Sequence, residues 1–304
     1  MKNLEDISIL VIGDIMLDKY VMGEVERISP EAPVPIVHVY EEHSTLGGCG
    51  NVVNNLRELG VKVVCLSSIA NDSNGKILLK KLIEISVEPL LIGDSKTTIT
   101  KERVIASERK VQMIRIDREC VTDIDSDELV KALENDYDIH DFDIVVVSDY
   151  AKGVITEGLM EYLNDSDVKY IVDPKPPRNR GFYGNPYLIT PNEKEADEMG
   201  SSVGMNLSQS EYVLETKGKR GMTLYGDEQF WNINADEVEV YNVSGAGDTV
   251  IAVMAATLSM GWNPLDSAYI ATRCASYVVT KPGTSVVPKE IFMGILKDYK
   301  KGIS

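Results

Sequence analysis

A chain of 304 residues, 43% hydrophobic and 26% charged, is long enough to bury one large core and has the composition of an ordinary soluble globule. Its 31 basic and 48 acidic residues leave a formal charge of −17, which argues against a nucleic-acid or anionic-membrane partner and requires local positive groups for any anionic substrate. No signal peptide or bilayer-length apolar run is present, and Cys49, Cys65, Cys120 and Cys274 form no CxxC pair, so they read as reduced thiols of a cytoplasmic protein.

Ile7 to Ile12 is a continuous apolar run ending in Gly13-Asp14, which suits a buried parallel strand delivering Asp14 and Asp18 to a site at its carboxyl end. The plainer reading makes both aspartates loop caps. From Lys19 to Glu42 the chain turns into short extended pieces broken by Pro30, Pro33 and Pro35. A second extended stretch, Thr97 to Asp117, alternates around a polar turn near Glu108-Arg109-Lys110. Together they predict one small sheet standing off an α/β body, placed to act as a lid. Between them, Gly47-Gly48-Cys49-Gly50-Asn51 opens a helix closed by Gly60. Glycines there imply close backbone approach, and Asn51 offers a donor and an acceptor to a polar ligand such as a sugar; a flexible connector is the alternative.

Strands are predicted at Val61–Ser68, Ile144–Ser148 and Tyr170–Asp173, and helices at Ser73–Ser86 and Ser126–Asn135. That alternation favours a mostly parallel sheet wrapped by helices, with ligands at the strands' carboxyl ends. Polar residues gather at those ends: Ser148 to Gly153, Asp173-Pro174-Lys175, and Thr190-Pro191-Asn192-Glu193 with Glu195. Lys152 and Lys175 are candidate positive groups, although a lone surface lysine is more often simply solvated. Asn192 and Glu195 share one face of a helical turn and suit a hydrated magnesium ion, as they also suit an ordinary helix start. Segment 200–211 is polar, with no helix strong enough to place. Thr216 to Gly221 forms a basic glycine hairpin suited to phosphates, and Pro264 starts a helix running to Val279.

The stretch that organises the chain is Ser244-Gly245-Ala246-Gly247-Asp248-Thr249, followed by small and apolar residues up to Met260 and a stop at Gly261. A helix starting at about Gly245 leaves unpaired N–H groups and a positive dipole end, which together make an anion site. A carboxylate beside such a site repels the ligand unless it has a task, and the task in view is to take a proton from a hydroxyl attacking phosphorus. The helix terminus is expected to keep Asp248 ionised. The alternative is a turn with an ordinary first-turn carboxylate.

With these residues in hand, the chain resembles the ribokinase-type (PfkB) carbohydrate kinases over essentially its whole length. It is most similar to the branch that phosphorylates D-glycero-β-D-manno-heptose 7-phosphate in ADP-heptose synthesis. The carriers are Gly13-Asp14-Ile15-Met16-Leu17-Asp18, Gly47-Gly48 with Asn51, Ser148 to Gly153, Asp173-Pro174-Lys175, Asn192 with Glu195, and Gly245 to Thr249. More specific to the heptose branch is the run Arg27-Ile28-Ser29-Pro30-Glu31-Ala32-Pro33-Val34-Pro35.

The resemblance implies a ribokinase-like three-layer αβα sandwich, with a mostly parallel central sheet and a small β lid. It implies a single kinase domain over 1–304, the lid lying at about 19–43 and 96–117. It makes Asp248 the base, and Gly245, Ala246 and Gly247 the anion hole. Asp14, Asp18, Gly47, Gly48 and Asn51 become sugar contacts, with Asp149, Arg103, Arg115, Lys152 and Lys175 also on the substrate side, the last four without Asp149 as ligands for an existing phosphate. Asn192, Glu195, Thr216, Gly218, Gly221 and Gly283 fall to the nucleotide, and Glu195 to Mg²⁺ through water. ATP and Mg²⁺ are the implied cofactors, a monovalent cation stays open, and the lid strands imply a homodimer. Asn242, Gly50 and Thr272 depart from the family's usual aspartate, alanine and asparagine, and the segment before Thr216 is shorter than usual by about a helix. No nucleotidyltransferase half follows the kinase pattern, so adenylylation is expected of a separate protein. The rival readings are a kinase of this fold for another sugar or sugar phosphate, and a catalytically weak sugar-phosphate-binding regulator.

Overall fold

The computed structural model describes residues 2–93, 97–106, 111–176, 183–200 and 210–303. The turn expected near Glu108-Arg109-Lys110 and most of the polar 200–211 segment lie outside those residues. The chain begins with β1 (Ser8–Gly13), the long strands β2 (Ile15–Ile28) and β3 (Pro35–Gly48), α1 (Cys49–Leu59), β4 (Lys62–Ser68), α2 (Ser73–Glu84) and β5 (Glu88–Ile92). It continues through β6 (Thr100–Ala106), β7 (Val111–Arg118), α3 (Ser126–Glu134), β8 (Ile144–Ser148), α4 (Glu157–Asp165), β9 (Tyr170–Asp173), β10 (Leu188–Ile189) and α5 (Glu193–Glu198). The last part comprises β11 (Tyr212–Thr216), β12 (Met222–Gly226), β13 (Gln229–Ile233), α6 (Ala246–Met260), α7 (Pro264–Val278) and α8 (Lys289–Ile303).

Nine strands form the main sheet in the order β13-β12-β11-β10-β9-β8-β1-β4-β5. From β11 to β5 every neighbouring pair is parallel, and β12 and β13 complete the edge antiparallel. Both faces are covered. In β1, Ile9 and Val11 pack into one apolar cluster with α1, α6, α7 and α8, while Leu10 and Ile12 pack into another with α3 and α4. An unbroken apolar strand therefore reads as burial on two sides, and the result is the three-layer αβα arrangement that the sequence predicts.

The two extended stretches pair with each other in a separate four-stranded sheet, β3-β2-β6-β7. The strands overrun the expected limits. β2 starts at Ile15 and β3 ends at Gly48, so their buried halves reach the main body while Ile28, Val34, Val39 and Tyr40 project into solvent. Asp18 consequently lies inside a strand, not in a loop after β1. The specific run Arg27 to Pro35 forms the hairpin between β2 and β3, where the Ser29 N–H donates to the Val34 carbonyl oxygen.

α6 is apolar nearly all round, and all of its residues from Asp248 to Thr257 are buried. Such a helix is stable only inside a protein, here between α1 and α7. Gly245, at φ 82°, is the residue before its first turn, and a side chain there would strike Asn51 and Thr284. Among the described residues, no helix is long and apolar enough to cross a membrane.

Candidate active site

The carboxyl ends of β8, β9, β10 and β11 and the start of α6 enclose one cavity of about 180 Å³. Asp149, Lys175, Asn192, Glu195, Thr216, Gly245, Gly247 and Asp248 line it, together with Tyr150, Asp173, Pro174 and Thr190. That volume suits the reacting groups and not two whole substrates, since ligand pockets usually run to roughly 300–1,000 Å³.

Asp248 stands in the first turn of α6 and is 6% exposed. Its Oδ2 accepts a hydrogen bond from Asn51 Nδ2 at 2.7 Å, and its Oδ1 accepts one from the Tyr150 hydroxyl, also at 2.7 Å. The helix terminus expected to keep Asp248 ionised is joined by these two side-chain donors. Burial pushes its carboxyl above the usual range, the side-chain donors Asn51 and Tyr150 oppose it, Asp18 adds an upward push and the charge of Lys101 a downward one. Of the expected anion-hole amides, that of Ala246 already reaches the Val243 carbonyl oxygen at 3.3 Å. That of Gly247 belongs to the first turn, where N–H groups have no intrahelical acceptor, as does the Asp248 amide, which was not among those expected, and the space above the Gly247 Cα is open.

Two carboxylates expected at the sugar also hold the protein. Asp14 is buried, with Oδ2 accepting the N–H groups of Tyr150 and Lys152 and Oδ1 that of Val154, so it organises the loop after β8. Asp149 accepts the Ala151 N–H at 2.6 Å and the Tyr183 hydroxyl at 2.6 Å. Sequence pattern identifies such acids as loop residues but cannot show which way they turn. Asp18 does face a functional group: Arg103 Nη1 donates to its Oδ1 at 2.7 Å, and Gly47 leaves room for its other oxygen, which a Cβ would meet at 2.4 Å. Gly48 lies beside the Asp14 carbonyl, at φ 58°.

Each cation named for a phosphate is paired in this state. Arg103 pairs with Asp18, Arg115 with Asp117 at 2.8 Å, Lys152 with Glu119 at 2.8 Å and Lys175 with Glu195 at 3.0 Å. Of the four, only Lys175 lines the cavity. Lys101 on β6 was not singled out by sequence. It stands over the Tyr150 ring, 5.4 Å from the centroid, and among the described residues it is in no ion pair. Burial holds its ammonium below the usual lysine range. The threonine of Thr98-x-Thr100-Lys101, followed by Arg103 on the same strand face, was the available signal.

Asn192 and Glu195 form a capping box on α5: Asn192 Oδ1 accepts the Glu195 N–H at 3.0 Å, and Glu195 Oε2 accepts the Asn192 N–H at 3.1 Å. Glu195 Oε1 meets Lys175, so both its oxygens are engaged. Among the described residues no cluster of three or more acids, histidines or cysteines is poised for a metal. The oxygen set at the cavity, Glu195 with Asp173, Thr190 and Asn192, suits magnesium that keeps most of its own waters. Asp173 has no role assigned by its sequence motif, and burial with the charges of Asp248 and Glu195 pushes its carboxyl well up.

On the nucleotide side, Thr216 lines the cavity while Gly218, Gly221 and Gly283 do not. Gly218 and Gly221 shape the turn between β11 and β12, both at positive φ, and Arg220 of that turn pairs with Glu193. Gly283 sits at φ 68° in the loop after α7, whose Thr284 packs against Gly245. Thr272 is buried with its hydroxyl donating to the Ala268 carbonyl oxygen, and Asn242 caps Ser244.

The chain is 40% identical over 313 residues to the bifunctional protein HldE of Desulfatibacillum aliphaticivorans, with 95% of this chain covered and 63% of that protein. It is 40% identical over 300 residues to the bifunctional protein HldE of Sulfurimonas denitrificans, with 92% and 62% covered. The chain thus spans a little over three-fifths of the length of these relatives. Phosphofructokinase-2 from Escherichia coli, solved in complex with potassium, superposes with a TM-score of 0.78 at 17% identity, covering 97% of this chain and 99% of that one. Ribokinase from Thermotoga maritima superposes with a TM-score of 0.70 at 18% identity, covering 96% and 99%. The family profile described as pfkB family carbohydrate kinase matches residues 6–290, so the chain belongs to that family and is a sugar kinase.

Proposed function

We propose that this kinase uses ATP to phosphorylate the anomeric hydroxyl of D-glycero-β-D-manno-heptose 7-phosphate, giving the 1,7-bisphosphate and ADP in ADP-heptose biosynthesis. The observation that carries the reaction type is Asp248, fixed by Asn51 and Tyr150 beside open first-turn amides in one cavity with Lys175 and Glu195. The heptose assignment rests on the run Arg27 to Pro35 and on the two HldE relatives.

In this reading the sugar hydroxyl lies between Asp248 and the terminal phosphoryl group of ATP. Asp248 accepts the hydroxyl proton as the new bond to phosphorus forms. The amides of Gly247 and Asp248 take up charge on the phosphoryl oxygens, with Gly245 allowing the approach. Asn192, Glu195, Thr216, Gly218, Gly221 and Gly283 belong to the nucleotide side. Magnesium, held by Glu195 through water, supplies neutralisation of the phosphate oxygens when bound; a monovalent cation is a further candidate, since a structural neighbour is solved with potassium.

Asp18, Gly47, Gly48 and Asn51 fall to the sugar. Arg103, Arg115, Lys152, Lys175 and now Lys101 are the candidates for its 7-phosphate. Binding then exchanges the present carboxylate partners of the first four for phosphate oxygens. The β2-β3-β6-β7 sheet acts as the lid of a single kinase domain, and its edge strands β3 and β7, with exposed Tyr40, Val111 and Ile114, are the surface for a homodimer. A cytoplasmic location fits these substrates, and adenylylation of the product falls to a nucleotidyltransferase activity.

A coupled ADP-release assay over heptose 7-phosphate, hexoses, hexose phosphates and nucleosides tests the assignment. Heptose 7-phosphate is expected to win by kcat/KM. A better hexose phosphate would move the reading to another kinase of this fold, and sugar-phosphate binding without ATP turnover would favour a regulator. Light scattering at working concentration tests the dimer, which a monomeric mass would remove.

A further inference from the structure

Tyr150 is placed by more constraints than a cavity wall requires. Its N–H donates to Asp14 Oδ2 at 2.9 Å, on a carboxylate that also gathers the N–H groups of Lys152 and Val154. The next residue, Ala151, sits at φ 55°, a conformation that is costly without a glycine, and its N–H is held by Asp149 at 2.6 Å. Two buried carboxylates thus fix a strained turn whose outcome is the Tyr150 hydroxyl at 2.7 Å from Asp248 Oδ1. Lys101 covers the ring from the small sheet. Burial and the charge of Asp248 push the phenol well above its usual range, so the shared proton stays on Tyr150 and the oxygen of Asp248 is the acceptor.

We propose that Tyr150 is a positioning residue for phosphoryl transfer: its phenol, anchored through Asp14, turns the Asp248 carboxylate so that its remaining lone pairs meet the sugar hydroxyl. The proposal rests on Asp248 being the base. Each carboxylate oxygen carries two lone pairs, and Asn51 and Tyr150 take one on each, leaving one apiece for a reacting hydroxyl. The donor also favours the ionised carboxylate, so removing it makes Asp248 harder to ionise. The other charged or titratable groups around this pair are Asp18 on β2, Lys101 on β6, Asp173 at the end of β9 and Cys49 at the start of α1. Tyr150→Phe leaves all four in place.

The test compares wild type, Tyr150→Phe and Asp248→Asn. In the free protein, a carbon-13 NMR titration of the Asp248 carboxyl, assigned by its loss in Asp248→Asn, should move upward by about one pH unit in Tyr150→Phe, the size expected for one hydrogen bond to a charged group. With heptose 7-phosphate and ATP, kcat should fall about tenfold and the acidic limb of its pH profile should move up in parallel, while the KM for ATP stays within about twofold. A folded Tyr150→Phe whose titration and acidic limb both match wild type overturns the proposal, even if kcat falls, because a purely structural loss moves neither. Should Tyr150→Phe fail to fold, Asp14→Asn serves instead: it slackens the anchor, and an unmoved titration there is equally fatal. Wild-type turnover by Asp248→Asn would bring down the base assignment itself, whereas an inactive Asp248→Asn beside an unmoved Tyr150→Phe would bring down only the role of Tyr150.

Discussion

The carboxyl ends of the main sheet and the small β2-β3-β6-β7 sheet both bring polar side chains to the site, but they hold them differently. At the strand ends, Asp14, Asp149 and Asp248 are buried and satisfied by amides, hydroxyls and an asparagine, donors whose positions are fixed by the backbone or by packing. In the small sheet, Arg103 and Arg115 are satisfied by the carboxylates of Asp18 and Asp117, and the Arg115 side chain is 49% exposed. Neutral fixed donors orient a group without competing for a ligand's charge. Ion pairs, in contrast, are exchangeable: an arriving phosphate can take over a guanidinium that a carboxylate holds. On the proposed reading, that difference suits the first region to chemistry and the second to recognition.

The sharpest way to break that division is Asp248→Asn. It should lower kcat by roughly 10²–10⁴-fold, as for loss of a general base, with ATP affinity by calorimetry nearly unchanged. Activity surviving in this variant would move the chemistry elsewhere. Next in size, Asp14→Ala leaves three N–H groups, one buried and two part-buried, without their acceptor and should cost about 3 kcal/mol in urea unfolding, more than an exposed acid would. An unfolding midpoint equal to wild type would mean that the loop finds other acceptors. Arg103→Ala tests the recognition side: the KM for the sugar phosphate should rise by roughly 10-fold or more through a lost charged hydrogen bond, with kcat changing less. A fall in kcat alone, with unchanged KM, would place Arg103 with the chemistry.

These two regions were also unequally legible in the sequence. The main sheet follows from apolar runs such as Ile7 to Ile12, because strands covered on both faces need no alternation and their lengths are bounded by polar ends. α6 follows from its glycine start and its stop at Gly261. In the small sheet, alternation over Gln112, Ile114 and Ile116 suggests a half-buried strand, yet β7 is mostly exposed among the described residues. The edge strands β5 and β13 and the last helix, α8, carry weaker patterns and were not anticipated. Within the site, residue type identified Asp248, Asn51 and Glu195, but direction was out of reach. Whether Asp14 faces a ligand or three amides depends on where the 150–154 loop lies, a contact across more than 130 positions. Tyr150 went unassigned for the same reason.

The smallest expected effect bears on the cost of gathering so many acids at the strand ends. Burial, with Asp248 and Glu195 nearby, raises the Asp173 carboxyl well above its unfolded value, so the folded protein binds this proton more readily than the unfolded chain does. Native stability from this group is therefore fullest near the unfolded carboxylate range and is lost as pH rises through the higher folded value. Asp173→Asn keeps the size of the side chain and cannot ionise. It should raise the midpoint of thermal unfolding by a few degrees at about pH 8, with the gain shrinking toward about pH 5. Asp14 titrates with the same sign and is present in both proteins, so it cancels in the difference; Asp248 is coupled to Asp173, and loss of the Asp173 charge eases its ionisation too, a change of the same sign. A gain independent of pH would mean that Asp173 is stabilised as an anion by its neighbours, with Lys175 compensating fully for the acids around it.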